Sequence, residues 1–423
     1  MPEPGIGGRH RSFVGIADRV RHHAGRTPDA PAAIFGGRTL TYSELSWRME
    51  AFARGLLARG VRRGDRVAAL STPRPEYLLT FLGAARIGAV WVGLNPVQTV
   101  PEQLHILGDC RPKLLFAFRH LRGLDMQPLL RCVAASCPFV ESIVRLEQDE
   151  RHSSQGCDAF LNGGDALDGR AVSSLPPIRG RDPLLLVYTS GSSGRPKGVL
   201  LGQGSIAHCA AVQGEIFPLR GLRALCNFPI SHIACNTDIV AFVLWAGGAL
   251  VFQERFDAED ALRLIAAERI NWVVQVPTMF QMMLSHPRRR LYDTSSLEVY
   301  FFGGAPMSAN AIHELGALGG EIYTSWGMTE ATSSVTYTSR GATVGELSRT
   351  VGRAHASYEV AILDEAGRGL PPGEPGEIAV RGPCLMLGYW NDPAATAQAI
   401  DREGWLHSGD LGVMSPEGVL SLV

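Results

Sequence analysis

Residues Leu184 to Leu201 read LLLVYTSGSSGRPKGVLL. Leu184 to Tyr188 is an apolar run of strand length, and Val199 to Leu201 resumes it. Between them, Thr189, Ser190, Gly191, Ser192, Ser193 and Gly194 are only Gly, Ser and Thr. Such a loop exposes backbone N–H groups, offers hydroxyl donors and lets a ligand approach the main chain, as a phosphate cradle must. Pro196 stiffens the exit and Lys197 adds a point positive charge. The pattern is not a Walker A loop, in which Gly-Lys-Ser/Thr opens a helix; here Gly198 follows Lys197 and a strand follows that.

Lysine usage sharpens the reading. The chain carries 40 Lys and Arg, yet lysine occurs only at Lys113 and Lys197. Arginine is the default cation, so a lysine in this loop points to a role for the ammonium itself, a compact charge with three donors suited to a flexible phosphate. A solvated surface loop would share the composition, but ordinary linkers are seldom bounded by two apolar strands.

The 423 residues exceed one simple core, so two or three subdomains are expected. Hydrophobic content of 45% and charge of 19% fit a soluble globular protein. A net charge of −1 argues against nucleic acid or an acidic membrane as the main partner. The N-terminal MPEPGIGGRHRS lacks the apolar centre of a signal peptide, and no apolar run is long enough to span a bilayer. Eight cysteines without CxxC or metal spacing read as reduced thiols of a cytoplasmic enzyme.

Outward from the loop the chain alternates. Residues 1 to 11 read as a tail. Ala33 to Thr41 forms a hairpin, and Thr41-Tyr42-Ser43-Glu44 is a capping box opening a helix that Gly60 closes. Strands are expected at Arg66–Leu70, Ala89–Gly93 and Lys113–Ala117, with helices at Glu76–Arg86 and Pro101–Leu107. Glu150 to Asp182 reads as a polar linker. After the loop, helices at Ser205–Phe217, Thr237–Trp245, Ala258–Glu268 and Ala309–Leu318 alternate with strands at Ala224–Asn227, Ala249–Phe252, Trp272–Val276, Val299–Phe302 and Glu321–Ser325. Repeated strand–helix units imply mainly parallel sheets. Beyond Thr338, short β-like runs between Gly/Pro turns imply a small antiparallel barrel or sheet. The expectation is an α/β protein with a first αβ subdomain at 1–180, a second carrying the loop at 181–337, and a β-barrel subdomain at 338–423.

Four further stretches join the loop: Phe228-Pro229-Ile230-Ser231-His232, Phe301-Phe302-Gly303-Gly304-Ala305-Pro306, Tyr323-Thr324-Ser325-Trp326-Gly327-Met328-Thr329-Glu330, and Gly404 to Leu411 (GWLHSGDL). In this order, with YTSGSSGRPKGV, they resemble the signatures of the adenylate-forming superfamily: acyl-CoA synthetases, aryl-acid ligases, luciferases and adenylation domains. The resemblance covers most of the chain.

The resemblance implies roles. Thr189 to Gly194 and Lys197 would cradle ATP phosphates. Gly303 to Pro306 would lie along the adenine and the acyl pocket. Ser325 to Met328 would continue that nucleotide wall, Trp326 stacking on adenine where the family usually has Tyr. Thr329 would bond the α-phosphate, and Glu330, with Thr189, would hold Mg²⁺. Asp410 would take the ribose hydroxyls, with Ser408 for the more usual Thr. His232 would border the carboxylate, and Ala234, Phe302 and Cys235, which stands for the family glycine, would shape the pocket. Amino-acid-activating relatives carry an aspartate near here. No Asp lies between Phe228 and Asn236, which favours an acid without an α-amine.

The implied activity is formation of an acyl-adenylate from ATP and a carboxylic acid, then transfer to coenzyme A with release of AMP. Alternatives are thioesterification of a ready-made acyl-adenylate, loading of an acyl carrier protein, and a silent nucleotide-binding module. The resemblance also implies that a C-terminal lid domain, with its catalytic lysine, is not in this chain. Neither the acid nor an oligomeric state is specified by the sequence.

Overall fold

The computed structural model describes residues 15–147, 157, 160–161, 172, 175, 177–190 and 196–423. The expected N-terminal tail, most of the polar stretch 150–182, and Gly191, Ser192, Ser193 and Gly194 lie outside the described residues.

Two seven-stranded sheets carry the fold. One runs Gly388–Tyr389, Pro196–Gly202, Pro183–Ser190, Val90–Leu94, Arg66–Leu70, Leu114–Ala117, Ser142–Arg145. It is parallel from Pro183–Ser190 onward and antiparallel at the other edge. The other runs Glu321–Thr324, Val299–Phe302, Trp272–Gln275, Arg223–Cys226, Ala249–Phe252, Pro31–Phe35, Arg38–Thr41, parallel except for the terminal hairpin. A four-stranded antiparallel sheet, Glu359–Leu363, Gly376–Arg381, Leu406–Met414 and Leu420–Leu422, forms the third unit.

Sheet membership divides the chain differently from the expected boundary at 180/181. The strands flanking the Gly/Ser loop join the sheet of the first block, through Trp91↔Leu185 and Val92↔Leu186. The hairpin 31–41 completes the sheet of the second block, through Ala33↔Leu250. The physical reason is one shared core. Helices Tyr42–Ala58, Pro75–Ile87 and Gln203–Ile216 are buried within a single apolar cluster that takes residues from both sheets, so a strand can pair on either side of it. Residues Ser205 to Gln213 of the last helix are buried all round its axis, the signature of a core helix rather than a surface one.

Local chemistry sets the elements. Thr41 and Glu44 form the expected capping box, with Thr41 N–H to Glu44 Oε2 at 2.8 Å. Where one continuous helix was expected at Thr237–Trp245, a π-helix spans Cys235–Ala241 and an α-helix follows at Phe242–Ala246. No helix among the described residues is long and apolar enough to cross a membrane, and none of the eight cysteines is in a disulfide.

Candidate active site

Pro196 pairs with Ser190 and Lys197 with Thr189, which sets the lysine one pair in from the end of the ladder that flanks the Gly/Ser stretch. Among the described residues Lys197 makes no ion pair; its ammonium lies 5.2 Å from the Tyr389 ring centroid. The Tyr389 hydroxyl donates to Glu330 Oε1 at 2.9 Å. Burial, and then the Glu330 charge beside it, raise the Tyr389 pKa, so the phenol stays a donor. Tyr389 thus joins the expected phosphate cation to the expected metal carboxylate. The neighbouring Tyr188 hydroxyl donates to Asp109 Oδ2 at 2.6 Å, and Trp390 Nε1–H to the Asp109 carbonyl at 3.2 Å, which ties both strands to the helix Val100–Cys110.

A cleft of about 730 Å³ opens beside this group. Of the residues expected at the site, it is lined by His232, Ala234, Phe302, Gly303, Gly304, Ala305, Pro306, Ser325, Trp326, Gly327, Met328, Thr329 and Asp410. Lys197, Glu330, Thr189 and Cys235 do not line it. Lys197 and Glu330 meet at Tyr389 instead, and Thr189 lies opposite Lys197 in the ladder. Cys235 corrects the pocket expectation. It is fully buried, with Sγ 3.4 Å from Tyr77 Oη and 3.9 Å from Cys226 Sγ. The reason is the π-helix: residues three apart share a face of an α-helix, but the wider turn sends Cys235 into the core and Asp238 to the cleft.

At the outer end, Trp326 Nε1–H donates to Asp410 Oδ2 at 2.8 Å. The tryptophan lacks the hydroxyl of a tyrosine, yet its indole reaches the carboxylate expected at the ribose. A carboxylate has about four acceptor positions, so Asp410 keeps capacity for two hydroxyls. Its turn is braced: Asp410 N–H donates to Ser408 Oγ at 3.0 Å and Gly409 N–H to Glu377 Oε1 at 2.9 Å. Glu377 also holds His407 Nδ1 at 2.8 Å and raises the pKa of that imidazole.

The wall between the ends is built for close approach. Gly304 has φ +76°, and a Cβ there would meet only Val276, at 4.0 Å, with the cleft beyond. A Cβ on Gly327 would stand 1.9 Å from the Ser333 carbonyl, so only glycine lets these two short strands pair. His232 opens onto the cleft with its ring stacked near Phe228, centroids 6.2 Å apart. Its Nδ1 accepts the Ala234 N–H at 3.2 Å, which leaves the neutral-ring proton on Nε2. Although His232 is exposed, nearby protein lowers its pKa by desolvation.

The inner end holds what sequence reading missed. Asp238 is 4% exposed and lines the cleft. It accepts Gln213 Nε2–H at 2.5 Å, the Ser333 hydroxyl, and the Ser334 hydroxyl at 3.4 Å. Burial raises its pKa to about 6 against the lowering effect of these donors. It lies two residues beyond the Phe228–Asn236 window. Its signal was one acid at the head of an apolar buried run, Ile239 to Trp245. Tyr389 carried no sequence signal of its own, and Gln275, fully buried on the cleft wall, was legible only as the polar end of an apolar strand.

Mg²⁺ is compatible with this donor set. Among the described residues no cluster of three or more His, Cys, Asp or Glu could cage a metal. One carboxylate, Glu330, faces the Lys197 side. That is the arrangement a small hard cation uses when waters and substrate phosphates complete its shell.

The comparisons agree with the geometry. Residues 20–390 match the model of the family described as AMP-binding enzyme. A feruloyl-CoA synthase of Amycolatopsis sp is 36% identical over 410 residues, 97% of this chain and 78% of that protein. An indoleacetate–CoA ligase of Aromatoleum aromaticum is 32% identical over 412 residues, 96% of this chain and 77% of that one. Among solved structures, the N-terminal domain of FACL13 from Mycobacterium tuberculosis superposes with a TM-score of 0.86 at 27% identity, covering 97% of this chain and 99% of that one. With the cleft, its Asp410 end and these matches together, the chain belongs to the AMP-binding enzyme family and is an acid–thiol ligase of the adenylate-forming superfamily.

Proposed function

We propose that the chain activates a carboxylic acid without an α-amine as an acyl-adenylate and passes the acyl group to coenzyme A. A carboxylate oxygen attacks the α-phosphorus of ATP, the bond to the bridging oxygen breaks, and pyrophosphate leaves. The coenzyme A sulfur then attacks the carbonyl carbon, AMP leaves, and the thiol proton passes to solvent. No covalent protein nucleophile is needed, so the residues act by position and charge.

Lys197 would neutralise developing phosphate charge, and Thr329 would donate to the α-phosphate. His232, proton on Nε2, would donate to the acid's carboxylate as it is held for attack. Asp410, fixed by Trp326, would accept the ribose hydroxyls, and Gly303 to Pro306 would receive the flat base. Mg²⁺, held by Glu330 and the phosphate oxygens, would supply charge neutralisation when bound. The observation carrying this reading is the Trp326–Asp410 hydrogen bond at the mouth of a cleft that the other motifs line. The names of the relatives, a feruloyl-CoA synthase and an indoleacetate–CoA ligase, support an acid without an α-amine and coenzyme A as acceptor.

The test supplies ATP, Mg²⁺, coenzyme A and a panel of acids, and follows acyl-CoA and AMP by mass spectrometry. Equal amounts of both products, dependent on the acid, are expected. Thioester from synthetic acyl-AMP without acid-dependent pyrophosphate exchange would replace the reading with the second half-reaction alone. Transfer to a carrier protein but not to coenzyme A would replace the acceptor.

A further inference from the structure

The buried end of the cleft is rich in hydrogen-bond acceptors. Ser333 and Ser334 both donate their hydroxyl protons to Asp238, Ser333 to Oδ2 and Ser334 to Oδ1 at 3.4 Å. Each of these oxygens keeps acceptor capacity. Ser334 Oγ also lies 3.1 Å from Ser325 Oγ, a pair in which either hydroxyl can donate. Gln275, also on the cleft wall, is fully buried, and one of its two Nε2 protons goes to Asn227 Oδ1 at 3.2 Å. Its Oε1 is buried without a partner. An orphaned buried acceptor is destabilising unless something donates to it. Around these groups the walls are apolar: Phe228, Ile233, Val274, Phe301.

We propose that this end of the cleft selects acids carrying a neutral hydroxyl remote from the carboxyl, the hydroxyl donating into the acceptor set of Gln275 Oε1, Ser333, Ser334 and Asp238. The claim rests on the acyl-adenylate reading of the cleft and adds a substrate class to it. An alkyl terminus would leave Gln275 Oε1 unpaired. A methoxy or keto group would set acceptor against acceptor. An ammonium would shed its hydration on entry, and of these acceptors only Asp238, already met by three side-chain donors, could offset its charge. A site built to bond a substrate hydroxyl discriminates strongly against the analogue lacking it, because its own polar groups are then stranded.

The experiment is calorimetric titration of this chain with matched acyl-sulfamoyl adenosines. Three skeletons (phenylpropanoyl, indolylacetyl and a medium alkanoyl) are each made with a remote hydroxyl, methoxy, amino or hydrogen. On at least one skeleton the hydroxyl form is expected to bind at least about tenfold tighter than the other three. In Gln275→Leu and in Asp238→Asn that preference is expected to shrink, while affinity for the hydrogen form is kept, which also reports folding. Equal binding of hydroxyl and hydrogen forms on every skeleton overturns the proposal but leaves the adenylate site standing. Preference for the amino form replaces the hydroxyl with a cation. Failure of every probe to bind defeats the underlying reading instead.

Discussion

Asp238 makes the site's electrostatics measurable. Its carboxyl has a folded-state pKa of about 6 against an ordinary 3.8, because burial penalises the charged form. The groups packed round it, Gln213, Ser333, Ser334, Cys209 and Tyr337, carry no charge to offset that penalty. Between pH 4 and 6 the folded chain therefore binds more protons at this position than the unfolded chain. Stability from this group falls as pH rises through that window and is flat above it, a change of about 3 kcal/mol. Chemical denaturation of wild type and Asp238→Asn across pH 4 to 7 is expected to show the wild type losing ground to the variant as pH rises. A constant gap, or the opposite slope, would contradict the burial argument.

Lys197 and Tyr389 give a second pair of residue-scale outcomes. Lys197→Ala is expected to lower kcat/KM for ATP by about 10²–10³, the scale of losing one preorganised charge from a site. Tyr389→Phe keeps the ring under the ammonium but removes the donor to Glu330. About a tenfold loss is expected, as for one hydrogen bond to a charged group, with thermal unfolding little changed. Full activity in Tyr389→Phe would remove the tyrosine from the site. Lys197 was legible in sequence because lysine is so rare here. Tyr389 was not, because its partner Glu330 lies 59 residues away and long-range backbone pairing, including Met386 N–H to the Glu330 carbonyl at 2.8 Å, brings them together.

At the scale of elements, local chemistry explains what was readable. The capping box at Thr41 and Glu44 and the helix Ala258–Glu268 were visible because their signals sit within one turn or one amphipathic face. Thr41→Ala is expected to cost about 1 kcal/mol, read by denaturant midpoint. The π-helix at Cys235–Ala241 was not readable, since its extra residue per turn leaves no compositional mark. That one irregularity explains both errors at the pocket: Cys235 was placed in it and Asp238 was left out. The short ladder Gly327↔Ser334 and Met328↔Ser333 depends on the missing side chain at Gly327. Gly327→Ala would drive a methyl into a backbone carbonyl that cannot swing aside. A loss of about 3 kcal/mol or more is expected, in the range of severe overpacking, together with loss of nucleotide binding. Wild-type stability in this variant would show that the ladder can separate without harm.

For the whole molecule, alternation predicted parallel α/β sheets and a small antiparallel unit, and the sheets are there. Which strand joined which sheet was not legible. Pairing of Trp91 with Leu185 spans a long separation, and an apolar strand carries no record of its neighbour. The cleft depends on this assembly: His232, Gly304, Trp326 and Asp410 come from four separate stretches and meet on its walls. Motif order fixed their identity, while the third sheet, through Asp410, closes the arrangement onto Trp326.

The central claim is that this cleft is one continuous acyl-adenylate site, running from Asp410 to Asp238. Calorimetric titration of wild type and Asp410→Ala with one well-bound acyl-sulfamoyl adenosine, and with AMP, tests it most directly. The account predicts a single site, an acyl form bound at least about a hundredfold tighter than AMP because both ends of the cleft are filled, and loss of most affinity for both ligands in Asp410→Ala. Equal affinity for AMP and the acyl form, or binding indifferent to Asp410, would contradict it.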